Sequence, residues 1–118
     1  MAVRTLDDLH DLTCRVLANS NTAPENAKAV ADALVAAEAD GMPSHGMSRL
    51  VAYAGQAASG KVNGRAAPVL TQPKPSVIQV DACSGFAYPA MNMGLEKAAE
   101  VAPDAGVVAI GVGNSHHS

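Results

Sequence analysis

The sequence predicts a mixed α/β (α+β) fold, with helices in the first half and a strand–helix–strand unit in the second. Apolar residues recur at helical spacing from Leu6 to about Ser59. Two short apolar runs, Val77–Val80 and Gly106–Val112, then flank a further helical stretch. Prolines and glycines concentrate between the halves and indicate a boundary. The predicted division is a helical domain, a linker or edge segment and the beginning of a second domain, at residues 1–60, 61–76 and 77–118.

The first two helices have recognisable starts. Thr5 suits the N-cap of a helix over Leu6–Ala18, since its hydroxyl can accept a backbone N–H of the first turn. Thr22 and Glu25 have the spacing of a capping box and predict the start of the second helix. The apolar stripes are Leu6, Leu9, Thr13, Val16 and Leu17 in the first helix, and Ala27, Val30, Ala31, Leu34 and Val35 in the second.

Glu38 continues the stripe of the second helix by one turn, before Asp40–Pro43 ends the pattern. We expect an exposed helix end at which Glu38 reaches water, because acidic residues are rarely buried unpaired. The alternative is that its carboxylate points toward the histidine and the arginine of the next segment.

A third helix is predicted from Ser44 to about Ser59, and Gly60 is suited to end it. Its expected apolar face comprises Met47, Leu50, Val51, Ala54 and Ala58.

With Ser44 as the N-cap of this helix, His45, Arg49 and Tyr53 fall at i, i+4 and i+8 on one face. Arg49 can grip a carboxylate in a bidentate way, and His45 can donate a proton to a carbonyl oxygen or an imine nitrogen. This pattern predicts a site for a small organic acid. On spacing alone the plainer alternative is favoured, in which Ser44 only caps, His45 and Arg49 face solvent, and the Tyr53 ring packs.

The second half is expected to contain a turn at Asp81–Gly85, a helix over Pro89–Val101 and a buried strand over Gly106–Val112. Met91, Leu95 and Ala98 are predicted to face inward from that helix. The chain then enters a polar loop with two adjacent histidines.

His116 and His117 in this loop suggest three interpretations: cofactor contact, a plain exposed loop, or a metal site. Metal binding is disfavoured because no cysteine or carboxylate lies nearby in the sequence. Gly111 and Gly113 do not complete a GxGxxG dinucleotide motif, since His116 occupies the last glycine position.

Composition excludes several classes of function. The formal net charge is −3 and there is no basic stripe, which argues against nucleic-acid binding. No apolar run is long enough to span a bilayer, and the N-terminus lacks a signal-peptide layout. Cys14 and Cys83 are isolated thiols. We therefore expect a cytoplasmic protein.

Four blocks together resemble the malate/L-lactate dehydrogenase-like oxidoreductases. They are Asp40–Arg49 with its Ser-His-Gly-x-x-Arg signature, Tyr53 followed by Gly60–Asn63, Val80–Ala82 with Gly85–Phe86, and Gly111–His117. Their order and spacing cover nearly the whole chain. Asp40–Gly46 and Val80–Ala87 are most similar to the Δ1-piperideine/pyrroline-2-carboxylate reductase branch.

The resemblance implies a non-Rossmann fold, in which a helical domain accompanies a largely antiparallel nucleotide-binding sheet that begins in 77–118. It also implies a homodimer, a small carboxylate substrate, and NADPH or NADH as the cofactor. The family's chains are much longer, so we expect this chain to be the N-terminal part and to be incomplete without the remaining C-terminal polypeptide.

By the same resemblance, Ser44 and His45 match the catalytic pair, which an aspartate further along the chain completes. Arg49 matches the substrate-carboxylate residue, and Tyr53 is assigned to substrate binding beside it. His117 matches a loop histidine at the nicotinamide and substrate. Ser118 begins the cofactor-contacting segment, although the family usually has an aromatic residue there.

Two other functions stay open, the first of them because the sequence stops inside this loop. A processed two-chain protein could act as a hydrolase through a new N-terminal nucleophile on the downstream chain. The chain could also be a non-catalytic helical interaction module.

Overall fold

The computed structural model describes residues 3–116, in two compact units that divide between Arg65 and Ala66. Within these residues the first unit contains α1 (Leu6–Ala18), α2 (Pro24–Ala39), 3₁₀ turns at Pro43–His45 and Met47–Arg49, and α3 (Leu50–Ser59). The second contains β1 (Val69–Lys74), β2 (Val77–Asp81), α4 (Ala87–Ala105) and β3 (Ala109–Gly113). The mixed α/β class is therefore confirmed, and β1 lies inside the predicted linker or edge segment.

The first helix, α1, has the predicted bounds. Thr5 Oγ1 accepts the Asp8 N–H at 3.0 Å, and Asp8 Oδ2 accepts the Thr5 N–H at 3.4 Å. Thr13 and Leu17 are fully buried, as the stripe predicts. Leu6 is 48% exposed, so its predicted burial is wrong because the first turn lies outside the packed part of the helix.

The start of α2 corrects the predicted capping box. Ala23, not Thr22, is the N-cap, and it makes no side-chain hydrogen bond. The Gly64 carbonyl instead accepts the Ala23 N–H at 3.0 Å and the Asn26 Nδ2–H at 2.9 Å. A contact distant in sequence therefore replaces the local cap. Thr22 is buried, and its hydroxyl donates to the Ser20 carbonyl.

The end of α2 is fixed by Gly41, which has a left-handed φ of +75°. The Met42 N–H donates to the Ala37 carbonyl at 2.8 Å and the Gly41 N–H to the Glu38 carbonyl at 3.1 Å, the pattern of a Schellman motif. The predicted stripe is confirmed at Ala27, Val30, Ala31 and Leu34, which are all buried.

The third helix is shorter than predicted. α3 begins at Leu50, not Ser44, and ends at Ser59, where Gly60 is the C-cap with a φ of +83°, as expected for its stop. Its buried residues are Leu50, Tyr53 and Ala57. Val51 is 84% exposed, so its predicted place on the apolar face is wrong.

The sheet of the second unit is mixed. β1 and β2 are antiparallel, with Val69 opposite Asp81, and β2 and β3 are parallel, with Val77 opposite Ala109. The antiparallel character implied for the complete sheet stays a prediction. β3 alternates exposed and half-buried residues, so the predicted buried strand is wrong. Gly106 is the C-cap of α4 with a φ of +80°, so β3 begins at Ala109 and not at Gly106 as predicted.

The last helix, α4, packs on one face of this sheet through small residues. Ala90 and Gly94 are its buried residues, and Ala98 packs against the same core. Met91 and Leu95 are 45% and 58% exposed, so their predicted inward orientation is wrong. Ala90 and Gly94 let the backbone of α4 approach the strands closely, and Met93 packs against the same core.

We expect Gly94→Ala to lower the free energy of unfolding by roughly 1 kcal/mol. An added Cβ would lie 2.7 Å from Ile110 Cγ2 and 3.4 Å from Val80 Cγ2. Overpacking of about 1–3 kcal/mol then outweighs a helix-propensity gain of about 1 kcal/mol. Chemical denaturation followed by circular dichroism measures the change.

The matched control for this prediction is Gly55→Ala. Gly55 lies in α3, and an added Cβ there meets no neighbouring atom within 4 Å. That variant should gain up to about 1 kcal/mol of stability. Equal effects of the two substitutions would contradict the close approach of α4 to the sheet.

Candidate active site

The segment Pro43–Arg49 forms two 3₁₀ turns that meet at Gly46, not the first turn of one helix. Gly46 has φ −105° and ψ −134°, which is outside the helical region. The predicted helical stacking of His45, Arg49 and Tyr53 is therefore wrong, and Ser44 is not the N-cap of α3.

These turns nevertheless bring three predicted residues together. Ser44 Oγ lies 3.0 Å from His45 Nδ1, and both residues are exposed. Arg49 Nε donates to the Ser44 carbonyl oxygen at 2.7 Å, and Ser48 Oγ donates to the Pro43 carbonyl oxygen at 2.6 Å. These bonds between the turns hold a hydroxyl, an imidazole and a guanidinium side by side.

The Ser44–His45 contact can form in both charge states of the imidazole. When His45 is neutral, the Ser44 hydroxyl can donate to Nδ1, which leaves the proton on Nε2. When His45 is protonated, Nδ1–H can donate to Ser44 Oγ instead. Only the protonated ring can give up its Nε2 proton, and Nδ1–H then stays on Ser44 Oγ in the neutral ring.

The other predicted site residues are placed differently. Tyr53 is 6% exposed, so its ring packs inside the helical unit, as the plainer alternative held. Its assignment to substrate binding stays a prediction. His117 and Ser118 lie outside the described residues, so their predicted cofactor and catalytic roles are carried by the sequence alone.

A second polar cluster, which the sequence did not predict, lies where the parallel strands β2 and β3 end. Asp81 Oδ1 accepts the Cys83 N–H at 2.7 Å and the Asn114 Nδ2–H at 3.2 Å. Cys83, Ser84 and Asn114 all have left-handed φ angles, of 55°, 64° and 52°. The one local feature of the sequence that could have indicated this cluster is Asp81 two residues before Cys83, which is the spacing of an Asx-turn.

The loop that leads to His117 is joined to this cluster. The His116 N–H donates to the Gly85 carbonyl oxygen at 2.8 Å. The His116 ring meets the Phe86 ring edge-on, with centroids 6.0 Å apart and planes at 82°. Backbone and side-chain contacts thus fix the residue that precedes the predicted loop histidine.

The pKa of Asp81 predicts how this cluster responds to pH. Hydrogen bonds from the Cys83 N–H, and then from the Asn114 amide, lower the pKa of its carboxyl. A carboxyl with a lowered folded-state pKa adds stability above its unfolded pKa, and that stability is lost as pH falls through the folded pKa. Asp81→Asn should therefore destabilise the chain at pH 7, by an amount that shrinks below about pH 4.

Denaturation of wild type and Asp81→Asn across this pH range checks the prediction. A difference in unfolding free energy that stays constant from neutral to acidic pH would show that the Asp81 charge is not coupled to the fold.

A cleft of about 510 Å³ runs along the face of the sheet opposite α4. Its lining includes Val69, Thr71, Gln79, Asp81, Gly111 and Gly113. A Cβ added at Gly111 or Gly113 meets nothing within 4 Å, so the backbone of β3 is open there. The cleft contains none of the residues of Pro43–Arg49.

Over residues 3–116, no group of three or more histidine, cysteine, aspartate or glutamate side chains is arranged to hold a metal ion. No helix in the same range is both long enough and apolar enough to cross a membrane. Cys14 and Cys83 are free thiols.

Comparison with known proteins places the sequence beside dehydrogenases and reductases. The malate/L-lactate dehydrogenase family profile matches residues 5–118. The chain is 47% identical over 91 residues to a (2R)-3-sulfolactate dehydrogenase (NADP(+)) of Chromohalobacter salexigens, covering 77% of this chain and 27% of that protein. It is 38% identical over 109 residues to a Δ1-pyrroline-2-carboxylate/Δ1-piperideine-2-carboxylate reductase of Pseudomonas syringae pv. tomato, covering 92% and 32%.

The fold is similar to that of a solved reductase. The crystal structure of Δ1-piperideine-2-carboxylate reductase from Pseudomonas syringae pv. tomato superposes with a TM-score of 0.94 at 35% identity, over 99% of this chain and 35% of that one. The chain thus spans between 27% and 35% of the length of the proteins in these comparisons.

Proposed function

Because the chain belongs to the malate/L-lactate dehydrogenase family, we propose that the complete protein is an NAD(P)H-dependent reductase of a small 2-imino or 2-oxo acid. This chain supplies the N-terminal part, and the remaining C-terminal polypeptide of the same protein completes it. The complete protein forms a homodimer. The observation that carries the proposal is the turn at which Ser44, His45 and Arg49 meet.

The proton required by this reaction comes from His45. Reduction of a C=N or C=O bond adds a hydride to carbon and a proton to the nitrogen or oxygen. The imidazolium of His45 is a suitable donor, since its Nε2–H can pass to the substrate while its Nδ1–H keeps donating to Ser44 Oγ. Ser44 therefore acts with His45 as one unit.

The substrate's carboxylate is bound by Arg49. A guanidinium recognises a carboxylate through paired N–H groups in a fixed plane, which orients the substrate as well as holding it. The bond from Nε to the Ser44 carbonyl places this guanidinium next to the proton donor. A 2-imino or 2-oxo acid has its carboxylate attached directly to the reacting carbon and fits that arrangement. The finer proposal is a cyclic 2-imino acid, Δ1-pyrroline- or Δ1-piperideine-2-carboxylate.

When bound, the nicotinamide of NADPH or NADH supplies the hydride. The residues proposed to hold this cofactor are in the loops after β2 and β3, at Ser84 and Asn114, together with His117 and Ser118. Nucleotides commonly bind beyond the carboxyl ends of parallel strands, and a glycine-rich strand lets a ligand approach the backbone. The open backbone at Gly111 and Gly113 is consistent with such an approach.

The proposal is tested by cofactor oxidation with the full-length protein that contains this chain. NADPH and NADH are each offered with Δ1-pyrroline-2-carboxylate, Δ1-piperideine-2-carboxylate and the 2-oxo acid that corresponds to sulfolactate. We expect turnover with at least one acid and none with its carboxamide, which lacks the charge that Arg49 binds. Absence of turnover with every 2-imino and 2-oxo acid would reject the proposal.

A further inference from the structure

The Glu38 carboxylate points to the segment between His45 and Arg49, as the alternative interpretation held, but its partner there is a backbone N–H. Glu38 lies in the last turn of α2 and is half-buried. Its Oε1 accepts the backbone N–H of Met47 at 3.0 Å. Met47 is the first residue of the second 3₁₀ turn, where a backbone N–H has no partner within its own helix. The carboxylate thus satisfies a donor in the segment between His45 and Arg49, instead of reaching only water.

Gly46 provides the space for this contact. An added Cβ at Gly46 would lie 2.9 Å from both Cγ and Oε1 of Glu38. The nearby carboxylate therefore leaves no room for a side chain at this position. The Met47 N–H, which has no partner within its own turn, and the missing side chain of Gly46 both face Glu38.

The position of Glu38 is also electrostatically unfavourable for α2 itself. A carboxylate in the last turn faces the negative end of the helix dipole, and no basic residue lies in that turn. The Met47 N–H offsets this disadvantage, which explains an acidic residue at a place where the helix alone disfavours it.

We propose that Glu38 is a positioning residue for the reaction. By fixing the backbone at Gly46–Met47, it sets the separation between the proton donor His45 and the guanidinium of Arg49. This inference rests on the proposed function of those two residues. Geometry errors of about 1 Å can reduce rate by roughly 10²-fold, so a backbone anchor between the two groups matters for turnover.

Two substitutions separate the position of the acceptor from its charge. Glu38→Gln keeps an oxygen at the same reach and removes the charge, whereas Glu38→Asp keeps the charge and withdraws the oxygen by one methylene. In the full-length protein we expect kcat/KM to stay within about 3-fold of wild type for Glu38→Gln and to fall by roughly 10–100-fold for Glu38→Asp. Glu25→Gln, in the first turn of the same helix, is the control and should not change kcat/KM.

A second readout does not depend on activity. Hydrogen–deuterium exchange at the Met47 amide should be faster than in wild type for Glu38→Asp and unchanged for Glu38→Gln. Gly46→Ala should also speed this exchange, because its methyl group displaces the carboxylate. This variant extends the test if Glu38→Asp does not fold.

The outcomes distinguish the inference from the proposed function. Faster Met47 exchange with unchanged kcat/KM, or a larger loss for Glu38→Gln than for Glu38→Asp, would overturn the positioning role while the reductase stands. A wild-type protein that reduces no 2-imino or 2-oxo acid would instead remove the proposed function, and the exchange result would then report only how the turn is built.

Discussion

Replacing Arg49 by alanine is expected to lower kcat/KM of the full-length protein by roughly 10²–10³-fold, mainly through a higher KM. Each hydrogen bond between charged groups contributes about 1.5–3 kcal/mol, and a bidentate pair loses both. Because the carboxylate is bound in the ground state and in the transition state, most of the loss should be in KM. Steady-state kinetics with a 2-imino or 2-oxo acid measures it.

Arg49→Lys and Arg15→Ala are the controls for this prediction. Lysine keeps the charge but cannot reproduce the planar fork, so it should recover only part of the loss. Arg15 lies on α1 and pairs with Asp11 at 3.2 Å, and its removal should leave both constants unchanged. Unchanged KM and kcat for Arg49→Ala would remove Arg49 from the site.

His45→Gln is expected to lower kcat by about 10²–10⁴-fold with little change in substrate affinity. Glutamine retains hydrogen-bonding groups near the same place but cannot deliver a proton at neutral pH. Comparison of kcat with a directly measured dissociation constant separates loss of proton transfer from loss of binding.

The matched control is His10→Gln. His10 is a half-buried histidine of α1, and its Nε2 lies 2.6 Å from Asp32 Oδ1 of α2. It should retain wild-type kcat. If both glutamine variants are equally active, His45 is not the proton donor.

Local signals accounted well for the first two helices. The Thr5 cap and the stripe of α2 depend on residues within a few positions of each other, and both were predicted from spacing. The capping box at Thr22 failed because Gly64, far along the chain, accepts the hydrogen bonds at this helix start. Such a competitor cannot be recognised from helix propensity.

The predicted start of the third helix was wrong for a related reason. The Schellman end of α2 and the carboxylate of Glu38 together impose two 3₁₀ turns where the sequence favours continuous helix. In α4, helical spacing identified the apolar residues but not which face of the helix packs against the sheet. The face that contains Gly94 packs against the sheet, since the missing side chain permits a close approach to Ile110.

The candidate site was predictable in its residue types more than in its geometry. Ser44, His45 and Arg49 were singled out for their chemistry, and they do meet, through turns and not along a helix face. The cluster at Asp81 was missed because Asn114 reaches it only through the parallel pairing of β2 with β3. Residues that far apart in sequence give no local pattern.

The most direct test of the central claim is where a substrate-like carboxylate binds. The full-length protein is titrated with a planar five-membered-ring carboxylate that has no reducible C=N bond, and backbone amide shifts are followed by NMR. The prediction is saturable shifts centred on Ser44–Arg49 that disappear in Arg49→Ala. Saturable shifts that leave this segment unchanged, or that persist in Arg49→Ala, would contradict the assignment of the site.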